Sequence, residues 1–466
     1  MVFSSLTFLY YFLPAVLVFY FLAPKNFKNA VLLLSSLCFY AWGEPRYVIL
    51  MVVSIVCGYI YGLLIERFAG SKLSKVFMII SVAVSLSFLL FFKYSNFFSE
   101  NFSKVTGISI SLLKVTLPVG ISFYTFQIIS YTVDVYRKAA KAQRNIIDLA
   151  AYISLFPQLI AGPIVRYTDI YSQLHSRSHT IEKVSSGIKL FVTGLSKKIF
   201  IANALGQLCE VYYESEQQSV VFSWIYAVSY SLQVYFDFSG YSDMAIGLGR
   251  IFGFNFCKNF DYPYISGSIS EFWRRWHISL GSWFRDYVYI PLGGNRTTRI
   301  KQLRNILVVW AITGLWHGAS WIFVIWGLYF AVLLAFEKVF IGNFLKKHRL
   351  SAHIYVILTV LISFVIFSSL NIKDALECIL VMFNISEFPV ITAEHMYYIR
   401  SFALILIIAV IGATPFPNSV FNRIKNKRYI NKIIVIFEPV AILMLTFLCT
   451  AYLVDGSFNP FLYFRF

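Results

Sequence analysis

The sequence predicts an all-α fold, a polytopic membrane helical bundle with about 9–12 crossings. Three observations predict it. Of 466 residues, 58% are hydrophobic and 13% are Asp, Glu, Lys or Arg, against about 25% charged in soluble domains. The apolar residues gather in long runs, several close to the roughly 20 residues that one helix needs to cross the hydrocarbon. Alternating strands of about ten residues, the pattern of a membrane barrel, do not run through the chain.

The elements follow in order. Phe8–Leu22 has no basic region before it and no convincing cleavage site after it, which predicts a retained first helix rather than a removed signal peptide. Val31–Tyr40, Tyr47–Leu64 and Val76–Phe92 are apolar runs suited to spanning helices. The region Ile108–Tyr136 is interrupted by Pro118 and Gly120, so it reads as one kinked span or two short pieces. Leu149–Gly162 is short for a crossing, and Phe156–Pro157 reads as the start of a re-entrant segment. Residues 163–200 are polar and basic. Residues 255–304 mix charge, aromatic rings and glycine, with Glu271–Leu280 and Trp283–Tyr289 suited to helices lying at the cytoplasmic interface. The segment 306–340 runs between two basic clusters, which predicts a hairpin turning near Gly318–Ser320. The same reasoning puts two crossings between Arg349 and Arg423, and Ile433–Tyr452 is one further span. No internal repeat separates modules, so residues 1–466 read as one membrane domain.

Net charge of +18 raises the question of nucleic acid, but the cations sit in short clusters between apolar runs. Lys25/Lys28, Arg137/Lys138/Lys141/Arg144, Arg296/Arg299/Lys301/Arg304, Lys346/Lys347/Arg349 and Arg423/Lys425/Lys427/Arg428 form the pattern of positive-inside anchoring next to membrane lipids, not of a nucleic-acid surface. The six cysteines are scattered, without metal-ligand spacing or a disulfide framework. They read as buried apolar thiols.

Polar groups inside apolar sequence are costly and mark places to look for function. The first is Thr313–Ser320, where His317 is flanked by Gly314 and Gly318. An imidazole titrates near neutrality and can move a proton, and the glycines leave room for a substrate or another backbone. The alternative is a packing residue among small neighbours. The second is Glu271–Leu280, where helical spacing would put Arg274 and His277 on one face. Cations and aromatic rings there suit a phosphate-bearing ligand with a flat moiety, or equally lipid headgroups. The third is Gln233–Asp243. Asp237 and Asp243 are six apart and do not share a helix face, so they read as structural partners for Arg or His rather than an acid/base pair.

Taken together, the motifs resemble the bacterial membrane-bound O-acyltransferase family, in the branch of the alginate and peptidoglycan O-acetylases. The residues that carry the resemblance are Val2–Ser5, Phe39–Gly43, Leu117–Gln127, Phe156–Arg166, Asp237–Asp243, Phe272–Leu280, Thr313–Gly318 and Phe461–Phe466, and they span the chain in family order. The resemblance implies a bundle around a central funnel or tunnel. It implies that His317 is the intramembrane catalytic histidine and that His277 acts in catalysis or donor positioning, with no metal. Acetyl-CoA, or another acyl-CoA, is the implied donor substrate, with no bound cofactor. Arg274, Arg275 and Trp276 are expected to place it. The implied acceptor is an extracytoplasmic glycan, and a separate extracytoplasmic acetyltransferase or esterase-like protein is an implied partner.

The terminal residues 459–466 are short and aromatic. Related systems carry similar tyrosine-bearing ends, which makes the Tyr463 hydroxyl a candidate covalent acyl relay. An aromatic interface anchor is the alternative. Two rival classes stay open: a transporter or flippase would show no acyl transfer dependent on His317, and a scaffold would need His317 and His277 only for folding.

Overall fold

A computed structural model of the chain describes residues 2–113, 116–384 and 387–456. Among these residues the secondary structure is entirely helical. Six helices are long and apolar enough to cross a membrane: Pro45–Arg67, Lys72–Thr106, Trp321–Lys347, Arg349–Ser368, Ala393–Gly412 and Tyr429–Val454. That is fewer than the 9–12 expected crossings. Phe8–Leu22 is apolar but shorter, and other expected spans fold as helices rich in buried polar residues. The chain divides into two compact units.

The first unit comprises 1–191 and 242–257. It holds α1 (Leu13–Leu22), α2 (Lys28–Gly43), α3 (Val48–Arg67), α4 (Lys72–Thr106), α5 (Ile121–Tyr136), α6 (Ile146–Ser154), the single turn α7 (Phe156–Leu159) and α8 (Tyr167–His175). α9 (Ile181–Ser196) begins in it. Its core is a knot of rings in which Phe3, Phe8, Phe12, Phe39 and Phe156 approach with centroids 4.8–6.4 Å apart. Residues 107–113 and 116–120 are not helical, so the interrupted region resolves into one helix, α5. Gly120 starts it at φ 76°, and a Cβ there would lie 2.9 Å from the Leu159 carbonyl oxygen. α5 is buried almost all round and carries Ser122, Thr125, Gln127, Ser130 and Thr132, a composition that protein surroundings tolerate and lipid does not. Gly58 and Gly62 of α3 let it approach α5 at Ile128 and Tyr131. The expected re-entrant segment is a break in helix: α6 ends at Ser154, and the Phe156 amide donates to Ser36 Oγ at 3.0 Å. A non-helical backbone group is thereby satisfied inside protein.

The second unit comprises 192–241 and 258–466. It takes the end of α9, then α10 (Asn203–Glu214) and the first part of α11 (Val220–Ile251). There follow α12 (Ile269–Arg275), α13 (Ile278–Phe284), α14 (Arg299–His317), α15 (Trp321–Phe336), α16 (Gly342–Lys347), α17 (Arg349–Ser368), α18 (Ile372–Met382), α19 (Ala393–Gly412), α20 (Phe416–Lys425) and α21 (Arg428–Val454). The expected hairpin is α14 and α15, with its turn at 318–320. α17 and α19 are the two crossings expected between Arg349 and Arg423, and α21 covers the last expected span. α19 and α21 bury little of their apolar length inside the protein; lipid is their packing partner.

Two sequence expectations change. Glu271–Leu280 is not one helix, because α12 stops at Arg275, Trp276 is extended, and His277 takes a left-handed backbone, φ 44° and ψ 54°. Arg274 and His277 therefore do not share a helix face. Only Cys209, Cys378 and Cys449 are buried, whereas Cys38 and Cys257 are exposed and Cys57 is half-buried.

Candidate active site

The site is assembled in the second unit from the ends of helices. α14 and α15 pack at a glycine notch: a Cβ on Gly314 would lie 2.3 Å from the Phe323 carbonyl oxygen, and one on Gly327 equally close to that of Trp310. At the turn, a Cβ on Gly318 would collide with the Phe323 ring at 2.2 Å. The glycines flanking His317 thus admit a neighbouring helix, not a substrate. Their effect is to fix His317, the last residue of α14, against three rings. Trp316, Trp326 and Phe367 have centroids 4.8, 4.9 and 5.2 Å from the imidazole.

His277 arrives differently. Residues 259–261 clasp the break between α12 and α13: the Asp261 amide donates to the Arg275 carbonyl at 2.9 Å, and the Ile278 amide to that of Asn259 at 2.9 Å. Asn259 Oδ1 lies 3.1 Å from His277 Nδ1 and also accepts from the Ser279 amide at 3.2 Å and hydroxyl at 2.9 Å. An amide oxygen can only accept, so Nδ1 carries the proton and Nε2 keeps its lone pair. Nε2 is enclosed without a hydrogen-bond partner among the described residues. Burial pushes this imidazole down to about 3, so it is neutral throughout the physiological range. The left-handed backbone of a non-glycine residue is the strain that ordered surroundings sustain at functional sites.

The two histidines wall one narrow cavity of about 50 Å³. Phe238 packs edge-on to His277 at 4.7 Å, and the Trp316 ring lies 6.1 Å from His277. Trp273, Trp276, Trp326 and Phe364 contribute further wall. Asp237 also lines it and pairs with Lys198 at 2.8 Å, both side chains about 95% buried. Asp237 is thus paired with a lysine, where the sequence pointed to an arginine or a histidine.

A second, larger cavity of about 540 Å³ shares Trp273 and His277 with the first and is mostly apolar. A third, of about 1010 Å³, shares Arg274 and Tyr289 with the second and adds Lys338, Lys346, Arg349 and His353. Three spaces with common walls thus grade from wide and cationic to narrow and aromatic.

The remaining expected residues distribute unevenly. Arg274 lines two of the cavities, and Trp276 lines the narrow one. Arg275 lines none of the three; its Nε donates to Glu271 at 2.9 Å and its Nη1 to the Asp261 carbonyl at 3.1 Å, which braces the clasp. Tyr463 lies outside the described residues. Sequence reasoning missed Asn259, which carries no local signal. It also missed Glu337, whose carboxylate accepts from the Ile269 and Ser270 amides at 2.5 and 3.1 Å and so seats the start of α12. A carboxylate inside the apolar run 321–340 was the available signal.

The chain is similar to known proteins. The pattern of the membrane-bound O-acyltransferase family matches residues 83–373. A probable alginate O-acetylase AlgI of Azotobacter vinelandii is 38% identical over the whole of both chains. That of Pseudomonas aeruginosa is 42% identical over 82% of this chain and 75% of its own. A peptidoglycan O-acetyltransferase of Helicobacter pylori is 33% identical over 81% of this chain and 79% of its own. With six apolar spans and this match, the chain belongs to the membrane-bound O-acyltransferase family and is a multi-pass acyltransferase of the bacterial inner membrane.

Proposed function

We propose that this enzyme moves an acetyl group from cytoplasmic acetyl-CoA, or a related acyl-CoA, to hydroxyls of an extracytoplasmic polysaccharide or cell-envelope glycan. The observation that carries the reading is the single narrow cavity walled by both His317 and His277. Relatives named for alginate and peptidoglycan O-acetylation motivate the acceptor class. The wide cationic cavity suits the donor's phosphates, with Arg274 at its inner wall; Trp276 lies further in, and Arg275 braces the segment. The apolar and aromatic spaces suit its thin acyl-bearing arm.

In the proposed reaction His317 takes the proton of an attacking hydroxyl as the oxygen bonds to the thioester carbonyl carbon. The tetrahedral intermediate collapses with loss of the C–S bond, and the imidazolium returns the proton to the departing thiolate. Neutral His277, with Nε2 unprotonated, receives a donor hydrogen bond from the substrate and positions it. Tyr463 is the proposed first acceptor: its hydroxyl forms an acyl ester, and a glycan hydroxyl then attacks that ester and restores the tyrosine. A separate extracytoplasmic acetyltransferase or esterase-like partner would complete delivery, with residues 1–466 working as one membrane domain.

Membranes holding the protein and its partner, given labelled acetyl-CoA and candidate glycans, should label the glycan, and Tyr463→Phe should abolish both turnover and the intact-mass adduct at that residue. Label on lipid or protein alone would overturn the acceptor class. Normal turnover by Tyr463→Phe without any trapped adduct would sink the relay.

A further inference from the structure

The first unit contains a group of cations that the reaction does not use. Arg177, in the loop between α8 and α9, is its centre. Its Nε donates to Tyr20 Oη at 2.9 Å and its Nη1 to Asn29 Oδ1 at 2.6 Å and the Gln173 carbonyl at 3.3 Å. Each of these acceptors is neutral. The Tyr20 hydroxyl donates to the Phe252 carbonyl at 2.7 Å and lies 2.8 Å from His179 Nε2. Its proton is thus committed, and His179 Nε2–H donates to it. The Lys28 ammonium lies 4.7 Å from the Tyr20 ring centroid and 5.5 Å from that of Phe21. Lys183 Nζ donates to the Gly253 carbonyl at 2.6 Å, and Gly253 adjoins both His179 and Arg177.

Lys28, Arg177, His179 and Lys183 therefore gather around Tyr20 and Gly253, with Lys25 close to Lys28. Asp148 lies one step removed, accepting from Asn29 at 2.7 Å, and the carboxylate of Glu182, the chain neighbour of Lys183, is engaged by Thr180. No ion pair forms to any of the five cations among the described residues. Their mutual influence is repulsive: Lys28 and Lys183 are held below the ordinary lysine value, first by desolvation and then by neighbouring cations including Arg177. His179 is lowered by desolvation and then by Lys28, Arg177 and Lys183. Like charges are gathered where a counter-anion would relieve all of them.

What lies beside the cluster points to the class of anion. Phe19, Phe21 and Leu22, at the end of α1, are 65%, 44% and 79% exposed, and the Phe21 ring meets His179 edge-on at 5.8 Å. An apolar, lipid-facing helix end thus runs directly into the cations. A soluble anion needs no such flank; an amphiphile with a phosphate head does.

We propose that this cluster is a binding site for the phosphate headgroup of an anionic membrane lipid, with Lys28 and Lys183 as its charge contacts and the end of α1 against the acyl chains. Its residues belong to the first unit alone, and it does not depend on the acceptor or donor proposed above.

The test uses the full chain in detergent, read by native mass spectrometry and thermal unfolding with phosphatidylglycerol, phosphatidylcholine or inorganic phosphate as probes. Wild-type protein should retain phosphatidylglycerol through delipidation and gain more thermal stability from it than from phosphatidylcholine. Lys28→Gln with Lys183→Gln should weaken that retention by on the order of tenfold or more, since each basic group near a lipid surface is worth roughly a fivefold change in affinity. Lys28→Arg with Lys183→Arg should keep it, and so should the control pair Lys425→Gln with Lys427→Gln. Equal retention of both lipids, or unchanged retention by the glutamine pair, would overturn the site. Inorganic phosphate reproducing the full stabilisation would overturn its assignment to a lipid. If the glutamine pair does not fold, a salt titration of wild type decides: the preference for phosphatidylglycerol must fall with ionic strength.

Discussion

His317 and His277 reach one cavity from two unlike pieces of chain. His317 ends a regular 19-residue helix and is fixed by packing, through the glycine notch with α15 and three aromatic rings. His277 sits in a break between two seven-residue helices, on a left-handed backbone, and is fixed by hydrogen bonds converging on Asn259. Packing sets where an imidazole is, whichever nitrogen carries its proton. A convergent amide oxygen also decides which nitrogen carries it. The difference suits the proposed roles, a base at His317 and a hydrogen-bond acceptor of fixed tautomer at His277.

Substitutions can break or sharpen that contrast. The largest effect belongs to His317→Ala, which should lower acyl transfer by roughly 10²–10⁴-fold, the range of general base catalysis, while leaving thermal unfolding near wild type. Near-normal turnover of the purified variant would remove His317 from the chemistry. Next is Asn259→Ala. It leaves His277 Nδ1–H and Ser279 without their acceptor, at about 1–3 kcal/mol, and turnover should fall about ten- to a hundredfold. If Asn259 acts through His277, the double variant with His277→Ala should be little worse than His277→Ala alone.

Gly327→Leu tests the packing half. The notch has no room for the side chain, so unfolding should be eased by about 1–3 kcal/mol and activity should fall with it. A variant that is stable yet inactive would argue that the notch serves something besides packing. The smallest expected effect is a pH slope. His277 holds about 3 when folded, below the ordinary value of about 6.5. Between those values the unfolded chain binds the proton and the folded chain does not. The contribution is therefore complete above about pH 6.5 and declines as pH falls toward 3, by at most roughly 1.4 kcal/mol per pH unit. Comparing unfolding of wild type and His277→Gln from pH 7 to pH 4.5 should show the shallower slope in the variant; identical slopes would contradict a neutral buried imidazole.

Legibility in the sequence follows the same division. The α14–α15 hairpin, the two crossings after Arg349 and the last span were readable because apolar length and flanking cations depend only on nearby residues. His317 was readable for the same reason, as a titratable group inside an apolar run. The break at Trp276–His277 was not, because Phe272–Leu280 has unbroken helical spacing and the clasp that interrupts it comes from Asn259 and Asp261. Asn259 acts across 18 positions, and Glu337 acts on Ile269 across 68; such partners leave no periodic trace. Fewer helices qualify as spans than the runs suggested because α5 and its neighbours are buried in protein, where polar residues are admissible.

The narrowness of the histidine cavity carries a consequence for the cell as an electrical system. At about 50 Å³, it has room for no more than a few waters. Aromatic rings form most of its wall, and they offer such waters few partners with which to build a continuous wire. A cavity so lined offers ions no ready path, so the proposed transfer would leave the ion gradients across the membrane in place.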